Sequence, residues 1–307
     1  MGDKRGGDQR GVKQTNWQAY IHLVKGNIGP GCLTLPYAFS LVGPLASFIM
    51  TTVMAVVTIH NMRLLAHAKT KLERYGIHTY GEIGLYALGK AGQGAIEVFL
   101  VTMQLSICIV YFSFVSANLV EILPASWGIG QRGIIVLMIV PVAGLALVRH
   151  MKDLAIVSLA ASLFFMSGLA LILLLVVNHI PDRPPTEVLF SPSKVPIFLG
   201  NAVFAFEGIG LVLPVENAML HPHDFLPVLM WAMGTVSFIF LIFGEACLFS
   251  YGFISDGSIT SFLQRRGNSV EGNGGSYATT LMQNILISSA VILTYPLQFY
   301  PAIQLLE

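Results

Sequence analysis

The sequence predicts an all-α integral membrane protein, a bundle of about eight spanning helices. Three observations predict it. Hydrophobic residues fill 54% of the 307 positions and charged residues only 11%, with a mean hydropathy of +0.71. A soluble domain carries roughly 25% charged residues. The apolar residues also run on in stretches long enough to cross a bilayer, which takes about 20 residues per helix. Two of those stretches are interrupted near their middles by glycine-rich segments, at 26–31 and 207–210.

The expected spans lie near 17–42, 44–68, 93–123, 133–149, 153–178, 195–219, 225–254 and 277–303. The first contains Gly26-Asn27-Ile28-Gly29-Pro30-Gly31. Glycine disfavours the helical state and Pro30 has no amide to donate, so a regular helix cannot continue through it. In a bilayer each freed backbone group costs several kcal/mol unless protein, water or a ligand satisfies it. Such a break is either a simple proline kink or the lining of a cavity. Only Gly43-Pro44 separates the first two spans, which predicts a tight helical hairpin.

The segment 69–92 contains Gly84-Leu85-Tyr86-Ala87-Leu88-Gly89-Lys90-Ala91, a near match to a phosphate-binding loop. Ala91 stands where that motif needs Ser or Thr, and no strand pattern precedes it. The segment reads instead as an amphipathic interfacial helix, with Tyr80, Ile83 and Ala87 on one face and Gly89 closing it. Pro181-Asp182-Arg183-Pro184-Pro185 predicts a stiff, extended connector. The polar stretch 256–275 reads as a flexible loop.

Charge orients the bundle. With the N-terminus inside, the cytoplasmic segments hold Lys4, Arg5, Arg10, Lys13, Arg63, Lys69, Lys71, Arg74, Lys90, Arg149 and Lys152. The opposite side holds only Arg132, Arg183, Lys194, Arg265 and Arg266. That bias follows the positive-inside rule and predicts a cytoplasmic N-terminus. A net charge of +1 argues against a nucleic-acid partner. Cys32, Cys108 and Cys247 lie in apolar segments without CxxC spacing, so neither a disulfide framework nor a zinc site is implied. No metal or other cofactor is expected.

The second interrupted span reads Phe204-Ala205-Phe206-Glu207-Gly208-Ile209-Gly210-Leu211-Val212-Leu213-Pro214. By the expected topology it runs opposite to the first. The chain then divides into a cytoplasmic tail at 1–16, a five-helix repeat at 17–180, a non-cytoplasmic connector at 181–194, and an inverted, incomplete second repeat at 195–307. Paired interrupted helices at matching positions of two halves are the best sequence pointer to a transporter binding site.

These motifs carry a resemblance. His22-Leu23-Val24-Lys25-Gly26-Asn27-Ile28-Gly29-Pro30-Gly31-Cys32-Leu33-Thr34-Leu35-Pro36 resembles the first-helix motif of the proton-coupled amino acid transporters, in the amino acid/auxin permease class. Residues 204–214 are similar to that family's sixth-helix motif, and Tyr295-Pro296-Leu297-Gln298-Phe299-Tyr300 to its eighth. The resemblance, of the vacuolar or lysosomal type, implies a LeuT-like fold of two inverted five-helix repeats, with an amino acid held between helices one and six. Family members usually carry about eleven spans, so the expected fold is one truncated after about eight. Pro30 stands where many relatives have a small polar residue.

What the resemblance implies for function is secondary active transport of small neutral amino acids, driven by protons, in a vacuolar, lysosomal or plasma membrane. The substrate-binding candidates are Asn27, Ile28, Gly29 and Gly31 from the first break and Phe206, Glu207, Gly208 and Gly210 from the second. Backbone amides at half-helix starts suit a substrate carboxylate. Glu207, costly at bilayer depth, is a candidate for binding the substrate ammonium, for carrying a proton, or for capping the broken helix. His22 is the other proton-coupling candidate, because its ordinary pKa of about 6.5 lets modest changes in surroundings load and unload a proton. Phe204, Phe206 and Tyr111 are candidates to wall the pocket or simply to pack. Glu216, near the cytoplasmic end of its helix, reads as solvated, and Glu245 as a structural hydrogen-bonding group.

Two other classes compete. Sodium could replace the proton, with Asn27, Ser288, Ser289 and Thr294 as oxygen ligands. A non-transporting sensor or truncated regulator would bind an amino acid and signal through a cytoplasmic partner. No HExxH, GxSxG or paired intramembrane aspartates occur, so the chain is not read as an enzyme and no catalytic residue is assigned.

Overall fold

The computed structural model describes residues 13–123, 128–146, 151–178, 190–269 and 274–306. Among these the secondary structure is helical apart from one isolated bridge between Gln14 and Met219. The proline-rich connector at 181–185 lies outside the described residues.

The first helix, α1 (Asn16–Asn27), starts at a capping box. The Thr15 hydroxyl accepts from the Gln18 amide, and the Gln18 side chain accepts from the Thr15 amide. It stops where the glycine-rich segment begins. Ile28 and Gly29 are extended, Pro30–Thr34 forms a 3-10 turn, and α2 (Leu35–Val42) resumes the apolar run. Gly43, at φ +84°, turns the chain straight into α3 (Pro44–Leu72), a conformation that favours glycine. This is the expected hairpin.

Helix α4 (Tyr80–Ile122) contains a kink at Gly89, where φ is +68°. The stretch before the kink is the expected short helix closed by Gly89. It folds back against the following span through two glycines. A Cβ on Gly84 would lie 2.9 Å from the Gly92 carbonyl oxygen. The near match to a phosphate-binding loop is therefore mostly helix.

Next come α5 (Gln131–Ala146), α6 (Met151–Asn178) and α7 (Val195–Ala205). The second break follows, a 3-10 turn at Ile209–Leu211, then α8 (Val212–Ala218) and α9 (Phe225–Tyr251). Helix α10 (Ile259–Ser269) occupies part of the stretch read as a flexible loop. The polarity of that stretch is misleading, because its polar side chains point inward. Asn118 Oδ1 on α4 accepts from the hydroxyls of Thr260 and Ser261, at 2.7 and 2.9 Å. Arg265 forms ion pairs with Glu121 and Asp256, at 2.7 and 2.9 Å. Helix α11 (Gly274–Leu306) packs along α6 and α4.

Among the described residues, six helices are long and apolar enough to cross a membrane: Pro44–Tyr75, Tyr80–Ile122, Leu159–Asn178, Pro192–Ala218, Pro222–Tyr251 and Tyr277–Pro296. The two other expected spans correspond to shorter apolar helices, Pro30–Val42 after the first break and Gln131–Gly144. Large apolar side chains such as Phe99, Val140 and Trp231 stand on the outside of the bundle, as a lipid-facing surface requires.

Candidate functional site at the paired helix breaks

The two broken helices lie side by side. Helix α2 packs on α7, and α1 packs on α8. Their interruptions share one local design. Gly29 caps the 3-10 turn that begins Pro30-Gly31, and Gly208 caps the turn that begins Ile209-Gly210. Each break is thus a Gly-X-Gly at which one helix ends and a 3-10 turn starts the next. The amides at the start of such a turn have no partner within the helix.

Close approach explains two of the four glycines. A Cβ on Gly31 would lie 2.7 Å from Ala205 Cα and 3.0 Å from the Phe204 carbonyl oxygen, so the first break rests on the backbone end of α7. A Cβ on Gly208 would lie 1.7 Å from Asn27 Oδ1. The Asn27 side chain therefore sits directly on Gly208. The other two are open: around Gly29 there is nothing within 4 Å, and Gly210 meets only Met103, at 4.0 Å.

Asn27 is buried. Its Nδ2 donates to the Leu23 carbonyl at 2.7 Å, while its Oδ1 is buried without a partner among the described residues. An unpaired buried acceptor costs about 1–3 kcal/mol, so it is the natural place for a ligand donor to bind. Ile28 is partly buried against the core.

The second break supplies different groups. Phe206 is buried and packs edge-on against Phe240 of α9, with ring centroids 5.2 Å apart. Packing is thus the use the structure shows for it. Glu207 is half-buried and lies near Tyr111 of α4. No ion-pair partner for it occurs among the described residues. Tyr111 is buried, in the wall between α4 and α11.

His22 stands apart from these residues. It is exposed on α1, and its charged neighbour is Lys25. Of the oxygen groups named for sodium, Ser288 donates to Asn284 Oδ1 at 3.3 Å and Thr294 to the Ala290 carbonyl at 2.8 Å, both within α11 and away from Asn27. No His, Cys, Asp or Glu cluster suited to a metal occurs among the described residues.

Glu245 accepts a 2.7 Å hydrogen bond from Ser47, the structural use expected of it. Glu216 is a correction. It is only 2% exposed and pairs with Lys69 Nζ at 3.3 Å, rather than standing in water. Nothing in the sequence links two charges on separate helices, so this pair was not legible there. The Tyr80 hydroxyl, which donates to the Ile209 carbonyl at the second break, was equally hidden.

Comparison with known proteins places the chain. The family model for transmembrane amino acid transporter proteins matches residues 12–307. The chain belongs to that family. The resemblance read from its motifs is borne out. It is 28% identical to vacuolar amino acid transporter 4 of Saccharomyces cerevisiae over 299 residues, covering 94% of this chain and 40% of that protein. Vacuolar amino acid transporter 3 of the same yeast is 29% identical over 306 residues, 96% of this chain and 42% of that protein. The proton-coupled amino acid transporter-like protein pathetic of Drosophila melanogaster is 29% identical over 312 residues, 95% of this chain and 64% of that protein. The chain therefore spans between two fifths and two thirds of the length of these relatives. No solved structure matches it.

Proposed function

We propose that the chain forms the substrate-holding part of a LeuT-like secondary active transporter for small neutral amino acids, driven by protons. One observation carries this reading. Two matched Gly-X-Gly breaks are pressed together, and a buried acceptor, Asn27 Oδ1, is left without a partner between them. The substrate ammonium would donate to Asn27 Oδ1. The carboxylate would take backbone amides of Gly29 and Gly31, with Gly210 contributing from the facing break; contrary to expectation, the Ile28 and Gly208 amides already donate to the Val24 and Phe206 carbonyls, at 3.0 and 2.9 Å. A small side chain suits this site, because the ligand must touch main chain on both sides.

Proton coupling is supported by the name of the fly relative, and a vacuolar or lysosomal membrane by the names of the yeast relatives. Of the two titratable candidates, Glu207 is the one at the break and His22 the one on the outer face of α1. The positive-inside bias supports a cytoplasmic N-terminus.

Reconstitution tests the reading. The chain, and the same chain within its longer parent if one exists, are placed in proteoliposomes and screened with labelled amino acids under an imposed pH gradient, with and without sodium. Uptake of small neutral amino acids that follows the gradient without sodium is expected. Uptake that needs sodium at fixed pH would replace the proton by the cation, and binding without flux would favour a sensor.

A further inference from the structure

The broken sixth helix is fastened at its α8 end by a set of contacts separate from the site between the breaks. Lys69, near the end of α3, is 1% exposed, yet it is a cation. Its Nζ lies 3.3 Å from Glu216 Oε1 on α8 and 3.6 Å from Glu73 Oε1, just past the end of α3. Glu73 is about half exposed, whereas Glu216 is buried, and Glu216 Oε2 has no partner among the described residues. A buried carboxylate in that position depends on its cation. The same half-helix is held at its other end by the Tyr80 hydroxyl, which donates to the Ile209 carbonyl. Asn217 adds a 3.2 Å bond to the His78 carbonyl.

From these contacts we propose that Lys69 and Glu216 are positioning residues, a latch that holds α8 on α3 and so sets where Gly208 stands against Asn27. The Ile209 carbonyl that Tyr80 takes also accepts the Val212 amide, so helix α4 fastens the turn that leads into α8 while Lys69 fastens α8 itself to α3. Ionic and hydrogen-bonded clasps of this kind are discrete: they are made or broken, and so give α8 two positions rather than a range. Closing the latch seals this end of the space between the two broken helices, and opening it lets α8 leave α3. The part this plays in transport rests on the function proposed above; the latch itself does not.

The experiment reads the latch without needing transport. Ala66, 1% exposed on α3, lies one turn before the pair. An Ala66→Cys reporter is labelled with a membrane-impermeant maleimide in the purified full chain, where Cys32, Cys108 and Cys247 are buried. Slow labelling is expected in the otherwise native chain, and labelling at least about tenfold faster in Lys69→Met, because removing one partner of a buried pair strands the other charge. The exchanged pair, Lys69→Glu with Glu216→Lys, is expected to restore slow labelling.

A native labelling rate in Lys69→Met overturns the latch. If Lys69→Met does not fold, the double variant Lys69→Met/Glu216→Met decides, since it leaves no stranded charge. Fast labelling there supports the latch, and labelling as slow as in the native chain overturns it. A native chain that neither binds nor carries any amino acid would remove the transport reading and leave the labelling result standing.

Discussion

Gly208→Ala is the smallest change that tests the contact between the two breaks. Its new Cβ would stand 1.7 Å from Asn27 Oδ1, 2.5 Å from Asn27 Cγ and 2.8 Å from Asn27 Nδ2. All three atoms belong to one side chain, so the strain has one relief: Asn27 swings away. It then gives up the 2.7 Å bond from Nδ2 to the Leu23 carbonyl. That bond is worth about 0.5–1.5 kcal/mol net, and forcing a methyl into a packed contact costs about 1–3 kcal/mol. Stability should fall by roughly 2–4 kcal/mol. If Asn27 Oδ1 is also the acceptor for a substrate ammonium, about 1.5–3 kcal/mol of binding goes with it, a Kd weaker by about 10- to 150-fold. Thermal unfolding in detergent measures the first effect and equilibrium binding of the transported amino acid the second. Gly29→Ala is the control. Its Cβ meets nothing within 4 Å, so stability should stay within about 0.5 kcal/mol while binding still weakens. Asn27→Ala combined with Gly208→Ala should recover stability but not affinity, a non-additive pair. Unchanged melting and unchanged Kd in Gly208→Ala would refute the contact.

Three further outcomes are expected. Gly31→Ala presses on the Ala205 backbone, which cannot swing aside, so it should lower stability by about 1–3 kcal/mol or prevent folding, as melting or yield will record. Asn118→Ala removes the acceptor for Thr260 and Ser261 and should cost about 1–3 kcal/mol, exposing the 256–269 segment to limited proteolysis. Glu207→Gln should abolish pH-driven accumulation while exchange at equal pH persists; if His22→Ala does so instead, the coupling proton sits on α1 rather than at the break.

Much of the architecture was legible because a bilayer permits few solutions. A span must be long, apolar and internally hydrogen-bonded, so the hydropathy runs and the glycine punctuation locate it. Gly43-Pro44 and Gly89 were readable for that reason, and both carry the positive φ values or sharp turn the sequence asked for. The 256–275 stretch misled because polarity was taken as a sign of solvent. Thr260 and Ser261 are buried, and their hydroxyls both donate to one asparagine on another helix. Partners brought together by tertiary packing leave no local pattern. Lys69 and Glu216 are each ordinary near the end of a helix, and only their meeting makes them notable. His22 illustrates the reverse: a motif can be matched closely while the side chain it highlights stands outside the contacts that the break creates.

The two breaks are alike in backbone and different in side chain, and that combination argues for a single shared ligand. In both, the chain restarts after a helix end through a glycine-capped 3-10 turn with a glycine in its second position. A repeat of this kind gives each half a set of free amides and carbonyls. The side chains then divide the work. The first break contributes a neutral amide, Asn27, whose unpaired oxygen asks for a donor; the second contributes a carboxylate, Glu207, beside a tyrosine. Backbone amides for one end and side-chain acceptors for the other match the two ends of a zwitterion. Gly31 and Gly208 let the halves come into direct contact, and the open space lies at Gly29 and Gly210. A ligand bridging that space would touch both halves at once, so its binding would be coupled to their relative position, which is what a carrier requires of its substrate.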